Sequence, residues 1–409
     1  MAIRSDERVM SGRRARAPLR AARRGIGLGL LLLLLLAGVA PAGAAEPGVT
    51  IGQRPQPFED RYTPAIPGFK VTVWITRLDT PWSLVFLPDG RALVSERSGA
   101  VRLIADNKLQ PDPLITRNVV QNGEGGLMGL AIHPHFPSVP YVYAMETIED
   151  QLGRRQNQVV RFRFERNRLT FDRVIVGGIP AGANHNGGRI AFGPDGRLYV
   201  TTGDTFRGTL AQDAKSLAGK ILRVGDDGSV PPDNPVLGSP VFSYGHRNPQ
   251  GLAWDPQTGK LLESEHGPSG EFGLSAWDEI NVIESNGNYG WPQTVGAVYK
   301  KGVIDPIVAW PDLTTPPSGM AFWHGDLFVA TLRSQALIRV MLDREDGKIK
   351  AHGIERWFAR SAYDGRFGRL RDAVAGPDGA LYVLTSNRDG RGDPSFDDDR
   401  IIKIEVLPQ

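Results

Sequence analysis

Ile190-Ala191-Phe192-Gly193-Pro194-Asp195-Gly196-Arg197-Leu198-Tyr199-Val200-Thr201 is the stretch that decides the fold. Apolar runs flank a Pro-Asp-Gly turn, in which proline presets one dihedral and glycine takes the left-handed position that closes a hairpin. The same phrase recurs in both directions. Upstream it reads Leu84-Val85-Phe86-Leu87-Pro88-Asp89-Gly90-Arg91-Ala92-Leu93-Val94-Ser95-Glu96, then Leu130-Ala131-Ile132-His133-Pro134 with Tyr141-Val142-Tyr143-Ala144. Downstream it returns around Asp255-Pro256, Trp323-His324-Gly325-Asp326 and Gly376-Pro377-Asp378-Gly379. A third apolar run follows most copies, for example Val101-Arg102-Leu103-Ile104, Ile221-Leu222-Arg223-Val224 and Leu337-Ile338-Arg339-Val340.

Copies at a spacing of roughly 45–70 residues predict an all-β chain, a six-bladed β-propeller of four-stranded antiparallel blades. The spare strand Phe69-Lys70-Val71-Thr72-Val73-Trp74 is expected to pair with the C-terminal run Ile401-Ile402-Lys403-Ile404, which would seal an open sheet edge. Tandem β-sandwiches are the competing architecture, and the even spacing of the hairpins argues against them. The one helix expected after the N-terminal segment is a short one near residues 211–217.

Composition sets the class. The chain of 409 residues carries 49 Gly, 31 Pro and no cysteine, with a formal charge of +3. Arg4, Arg8, Arg13, Arg14, Arg16, Arg20, Arg23 and Arg24 hold much of the positive charge, so the body is close to neutral. No basic patch of the size a nucleic-acid partner needs is present. Residues 1–45 read as a cleavable secretion signal: a basic start, an apolar run and the small-residue site Pro41-Ala42-Gly43-Ala44-Ala45. That run, about fifteen residues, is short for a membrane span. The expectation is therefore a periplasmic or secreted protein with no stable membrane insertion after cleavage. Without disulfides it must be held by its core or by metal ions. Residues 46–66 are expected to form an extended lead-in, and residues 67–409 the propeller.

In a propeller the loops at one end of the blades converge, so polar tips far apart in sequence meet. His185, in His185-Asn186-Gly187-Gly188-Arg189, and Asp204, in Thr202-Gly203-Asp204, stand at neighbouring tips. Imidazole titrates near working pH, and a carboxylate on its far nitrogen fixes the tautomer of a general base. The two glycines are expected to leave room for a ligand. Arg247-Asn248 adds a fixed positive charge and an amide. The backbone carbonyls of Gly267 and Pro268 are candidate ligands for a hard cation such as Ca²⁺. Asp278-Glu279 and Asn288-Tyr289 offer oxygens for a second one. Arg369 and Arg371 alternate and so share a strand face, and with Arg333 they suggest a polycarboxylate ligand.

Together these motifs, with Gly123-Glu124-Gly125-Gly126-Leu127-Met128-Gly129-Leu130 and Asn288-Tyr289-Gly290-Trp291-Pro292, closely resemble the soluble quinoprotein sugar dehydrogenases. That is the glucose/sorbosone dehydrogenase family, which uses pyrroloquinoline quinone (PQQ), and the resemblance is nearest its aldose sugar dehydrogenase branch. It implies a six-bladed propeller in which His185 takes the anomeric hydroxyl proton of an aldose while hydride passes to PQQ, yielding a lactone. Asp204 would orient His185, Arg247 would stabilise charge on the quinone oxygen, and Asn248 would bind the cofactor. Gly267 and Pro268 would hold the Ca²⁺ that ligates PQQ, Glu279 and Tyr289 a separate structural Ca²⁺, and Arg369 and Arg371 the PQQ carboxylates. Glu124 stands where better-known members carry a glutamine that touches PQQ, and Arg333 where a lysine is common; Trp310 is the candidate for the aromatic packed on PQQ. An electron acceptor (a quinone, a cytochrome or an artificial dye) would complete the cycle.

Two other functions compete. A non-catalytic carbohydrate- or protein-binding propeller has no need of a paired base. A Ca²⁺-dependent propeller lactonase would want several side-chain ligands around an axial metal.

Overall fold

The computed structural model describes residues 48–408. The segment read as a secretion signal lies outside them. Six sheets follow one another around a ring, with strands added in chain order from the inside outwards. Blade 1 begins Pro81–Phe86, Ala92–Glu96, Ala100–Ala105, with a short broken outer edge at Lys108–Leu109 and Ile115–Thr116. Blade 2 is Leu127–Ile132, Tyr141–Glu149, Arg155–Glu165 and Arg168–Pro180. Blade 3 is Ile190–Phe192, Leu198–Thr202, Lys220–Val224 and Val241–Tyr244. Blade 4 is Pro249–Trp254, Leu261–Glu265, Asp278–Ile283 and Val308–Trp310. Blade 5 is Pro317–Trp323, Asp326–Thr331, Leu337–Glu345 and Lys348–Trp357. Blade 6 is Leu370–Ala375, Leu381–Thr385 and Ile401–Val406, and its outer strand is Phe69–Ile75 from the other end of the chain.

That last pairing is antiparallel, with Val71 opposite Ile404 and Val73 opposite Ile402. It closes the ring and covers the edge of the C-terminal strand, as the sequence led us to expect. The hairpin turns repeat one hydrogen-bond pattern. Gly196 N–H donates to Gly193 O at 2.9 Å, Arg197 N–H to Asp195 Oδ1 at 3.0 Å, and Gly196 has φ +71°. The turns at Asp89-Gly90 and Asp378-Gly379 do the same, which is why Asp-Gly recurs there.

Apolar side chains pack between blades rather than in one central mass. Leu262, Ile280, Val329 and Ile338 join blades 4 and 5, while Tyr143, Val159, Val200 and Leu222 join blades 2 and 3. The axis is polar: Arg189 of the blade 3 entry donates to Asp372 of blade 6 at 3.0 Å and to Gln250 O of blade 4 at 3.0 Å. The same guanidinium bonds Ser83 of blade 1 at 3.3 Å, and Gln250 accepts from Ser318 of blade 5 at 3.3 Å, so four inner strands and the blade 3 entry meet there.

Two local expectations change. The helix near residues 211–217 is only a 3₁₀ turn, Gly208–Ala211, because Asp213 and Ser216 bend the chain with their own side-chain bonds to backbone N–H groups. The lead-in carries two short strands: Thr50–Ile51 pairs with Thr294–Val295, and Arg61–Thr63 adds a parallel fifth strand to blade 5.

Candidate active site

His185 and Asp204 end up in contact because their blade 3 loops cross. Asp204 Oδ1 lies 2.7 Å from His185 Nδ1 and also accepts the Phe206 N–H at 2.8 Å. Its other oxygen accepts the Trp291 indole N–H at 2.7 Å. A carboxylate accepts only, so Nδ1 carries the proton and Nε2 keeps its lone pair on the cavity side. His185 itself has φ +55°, a conformation that costs a β-carbon residue energy and that clusters at functional sites.

The glycines beside it act otherwise than expected. A Cβ on Gly188 would come within 2.8 Å of Met128 Sδ and 2.9 Å of Trp82, and one on Gly187 within 2.5 Å of Thr201 O. They let the His185 loop lie flat on blades 1–3; they do not make ligand space.

A cavity of about 400 Å³ opens in front of the imidazole. Glu124, His185, Arg247, Arg333 and Arg369 all line it, so five expected residues from different blades meet there, together with Phe206, His266, Asp278 and Arg391. Asn248 lies just behind the wall, donating to Glu124 Oε2 at 3.2 Å and accepting the Gly187 N–H at 3.0 Å. Arg371 is deeper, donating to Gln250 Oε1 at 2.7 Å, and its Nε has no hydrogen-bond partner among the described residues. Burial pushes that guanidinium down to about 9. Arg369 is held by Asp389 Oδ2 at 2.7 Å, and the same oxygen is 4.0 Å from Arg371. Arg333 is exposed and stacks over Tyr363 at 5.1 Å.

Trp310 is a correction. Its indole N–H bonds Asp60 at 2.8 Å on the outer strand of blade 4, away from the cavity. The aromatic at the site is Phe206, whose ring centroid is 3.8 Å from that of His185. Its place beside Asp204 was the available signal. Glu271 was also missed: its Oε1 accepts from Arg247 Nε at 2.8 Å and Nη2 at 2.7 Å.

The four proposed cation residues gather in one smaller pocket. Gly267, Pro268, Glu279 and Tyr289 line it with Glu265, Trp277 and Trp291, and Arg247 and His266 form walls common to both spaces. Tyr289 can contribute only its backbone there, since its hydroxyl donates to Val282 O and accepts the Glu284 N–H, both at 2.8 Å. Likewise the Asn288 amide is taken up by Gln212. The chemistry of the donor set fits a cation well. Glu263, Glu265 and Glu279 are all buried; burial and mutual repulsion push Glu263 and Glu279 well above the ordinary carboxylate range, and burial pushes Glu265 to about 7. His246, Glu263 and Glu265 bring ligand atoms within 4.8 Å of one another, and His246 Nδ1, Glu263 Oε1 and Asn281 Oδ1 lack hydrogen-bond partners among the described residues. Buried acceptors without donors call for a positive charge.

Against known proteins, the model of the Glucose / Sorbosone dehydrogenase family matches residues 78–397. The chain belongs to the glucose/sorbosone dehydrogenase family. It is 32% identical over 356 residues to the aldose sugar dehydrogenase YliI of Escherichia coli K12, covering 78% of this chain and 91% of that protein. It is 33% identical over 265 residues to quinoprotein glucose dehydrogenase B of Acinetobacter calcoaceticus, covering 56% and 53%. The PQQ-bound structure of an aldose sugar dehydrogenase from Streptomyces coelicolor aligns with TM-score 0.72 and 39% identity, over 84% of this chain and all of that one.

Proposed function

We propose that this protein is a PQQ- and Ca²⁺-dependent dehydrogenase that oxidises aldoses at the anomeric carbon to lactones and works in the periplasm or outside the cell. The observation that carries the reading is a buried His–Asp pair facing a cavity lined by Arg247, Arg333, Arg369 and Arg391. Family membership and the PQQ-bound relative support the cofactor. The residues present suit it: Arg369 and Arg333 on the lining, with Arg371 behind them, would hold its carboxylates, and Arg371 Nε has no acceptor among the described residues. Arg247 and Asn248 would hold the quinone end. Gly267 and Pro268 would offer carbonyls, and Glu279 with Tyr289 a second set, for Ca²⁺. No helix among the described residues is long and apolar enough to cross a membrane.

When bound, PQQ supplies the hydride acceptor and Ca²⁺ the Lewis acid that polarises its carbonyls. The protein supplies the proton chemistry. His185 Nε2 takes the anomeric hydroxyl proton, and the imidazolium so formed is stabilised by Asp204 at 2.7 Å. Trp291 holds Asp204 so that the pair does not rotate. Phe206 covers one face of the imidazole and excludes water from it. The lactonase alternative loses support because the axis holds an Arg189–Asp372 ion pair where a metal would need side-chain ligands.

The test is reconstitution. Purified protein given Ca²⁺ and PQQ should reduce an artificial dye with glucose or another aldose. Lactone hydrolysis with Ca²⁺ alone, and no dye reduction with PQQ, would overturn the proposal.

A further inference from the structure

Glu124 presents a problem for any polyanionic ligand, because its carboxylate lines the same cavity as Arg247, Arg333 and Arg369. Two neutral donors orient it without cancelling its charge: the His185 N–H at 2.9 Å and the Asn248 amide at 3.2 Å, both to Oε2. Burial alone would raise this carboxyl, but the Arg391 guanidinium and the bond from the His185 N–H oppose that and favour its ionised form. Among the described residues the cation that touches it is Arg391, whose Nη1 lies 3.2 Å from Oε1. The other end of that guanidinium bonds the Asn184 side chain, next to His185.

Arg391 reaches this position from blade 6, on the loop after Leu381–Thr385. A turn aims it there: the Arg391 N–H donates to Asp389 Oδ1 at 2.9 Å, while Asp389 Oδ2 holds Arg369 at 2.7 Å. Gly392 completes the turn, since a Cβ there would come within 2.8 Å of Arg369 Cδ. One aspartate therefore sets both arginines, and both line the cavity. Arg391 is 49% exposed along its side chain, so it stands at the mouth rather than in the floor.

We propose that Arg391 is a binding residue of the cofactor site: it neutralises Glu124 and makes a carboxylate tolerable where a polycarboxylate must enter. The inference rests on the PQQ reading of the cavity. It assigns Arg391 a role that depends on Glu124, which sets it apart from an ordinary rim ion pair of little worth. Without the guanidinium, Glu124 would face the ligand's carboxylates uncompensated, and like charges brought together in a partly desolvated site are strongly unfavourable.

The experiment measures PQQ affinity of the Ca²⁺-loaded apoprotein by quenching of tryptophan fluorescence, in wild type, Arg391→Gln, Arg391→Lys, Glu124→Gln and the Glu124→Gln/Arg391→Gln double variant. Arg391→Gln should weaken binding about tenfold or more. Arg391→Lys, which keeps the charge, should retain most of the affinity. In the Glu124→Gln background the loss of Arg391 should matter little, leaving the double variant within about threefold of wild type. Thermal melts establish that each variant folds. An equal loss on removing Arg391 in both backgrounds, or no loss in either, overturns the proposal. A wild-type protein with no saturable PQQ binding overturns the cofactor reading and this role with it.

Discussion

The cavity lined by Arg333, Arg369 and Arg391 and the pocket walled by Glu265 and Glu279 share Arg247 and His266 as walls, yet their charge is opposite in sense. In the first, arginines outnumber the carboxylates on the lining, and behind it Arg371 Nε has no acceptor among the described residues. Beside the second, His246, Glu263 and Glu265 bring ligand atoms within 4.8 Å of one another, and His246 Nδ1, Glu263 Oε1 and Asn281 Oδ1 have no hydrogen-bond partner among the described residues. Folding energy does not favour either arrangement alone, since buried unpaired charge is costly. The two regions make sense as neighbouring receptors for an anion and a cation, with Arg247 tied to both: its N–H bonds Glu265 at 2.8 Å while its guanidinium borders the larger space.

The largest expected effect isolates the base from both receptors. His185→Gln should cut kcat by a factor of ~10²–10⁴ while PQQ affinity, measured by titration, stays nearly the same. Unchanged turnover would exclude His185 as the base. On the anion side, Arg371→Met removes the buried donor, and a charged hydrogen bond is worth about 1.5–3 kcal/mol. PQQ should bind roughly 10–100-fold more weakly, and Ca²⁺ should still raise Tm as in wild type.

On the cation side, Glu263→Gln should do the converse. A saturating cation at a hundredfold its Kd stabilises by about 2.7 kcal/mol; calorimetry with Ca²⁺ against chelator should show that gain in wild type and a smaller one in the variant. A gain of equal size in both would remove Glu263 from the cation pocket. The smallest effect is a control outside both regions. Trp310→Phe loses the hydrogen bond to Asp60, worth about 1 kcal/mol, so Tm should fall by about 2 °C with PQQ affinity unaltered.

The difference between these regions also marks what could be read from the chain. Strand order, turn chemistry and ring closure are local or repeated signals, so the Pro-Asp-Gly hairpins and the Phe69–Ile75 closure were legible. So were the residues at strand tips, because ring closure brings such tips together: His185, Asp204, Arg247 and Arg369 needed no loop geometry. What was illegible depends on long loops. Arg391 and Asp389 sit between residues 386 and 400, a stretch of Gly, Asp and Arg with no period, and their partners are set by where that loop lands. The misreading of Trp310 has a similar cause: strand alternation places a side chain on one face of a blade, but which face meets the cavity depends on how the blade is stacked. Gly188 was read for ligand space when the contacts that exclude a Cβ there are Met128 and Trp82, sixty and more residues away.

The most direct test of the paired receptors is a titration of PQQ into the apoprotein followed by isothermal calorimetry, once with Ca²⁺ and once with chelator. With Ca²⁺ the binding should saturate at about one PQQ per chain, and with chelator it should weaken by about tenfold or more, as expected when a cation helps to hold an anion. Saturable binding of equal strength in both conditions would contradict the coupling of the two regions, and no saturable binding in either would contradict the cofactor site itself.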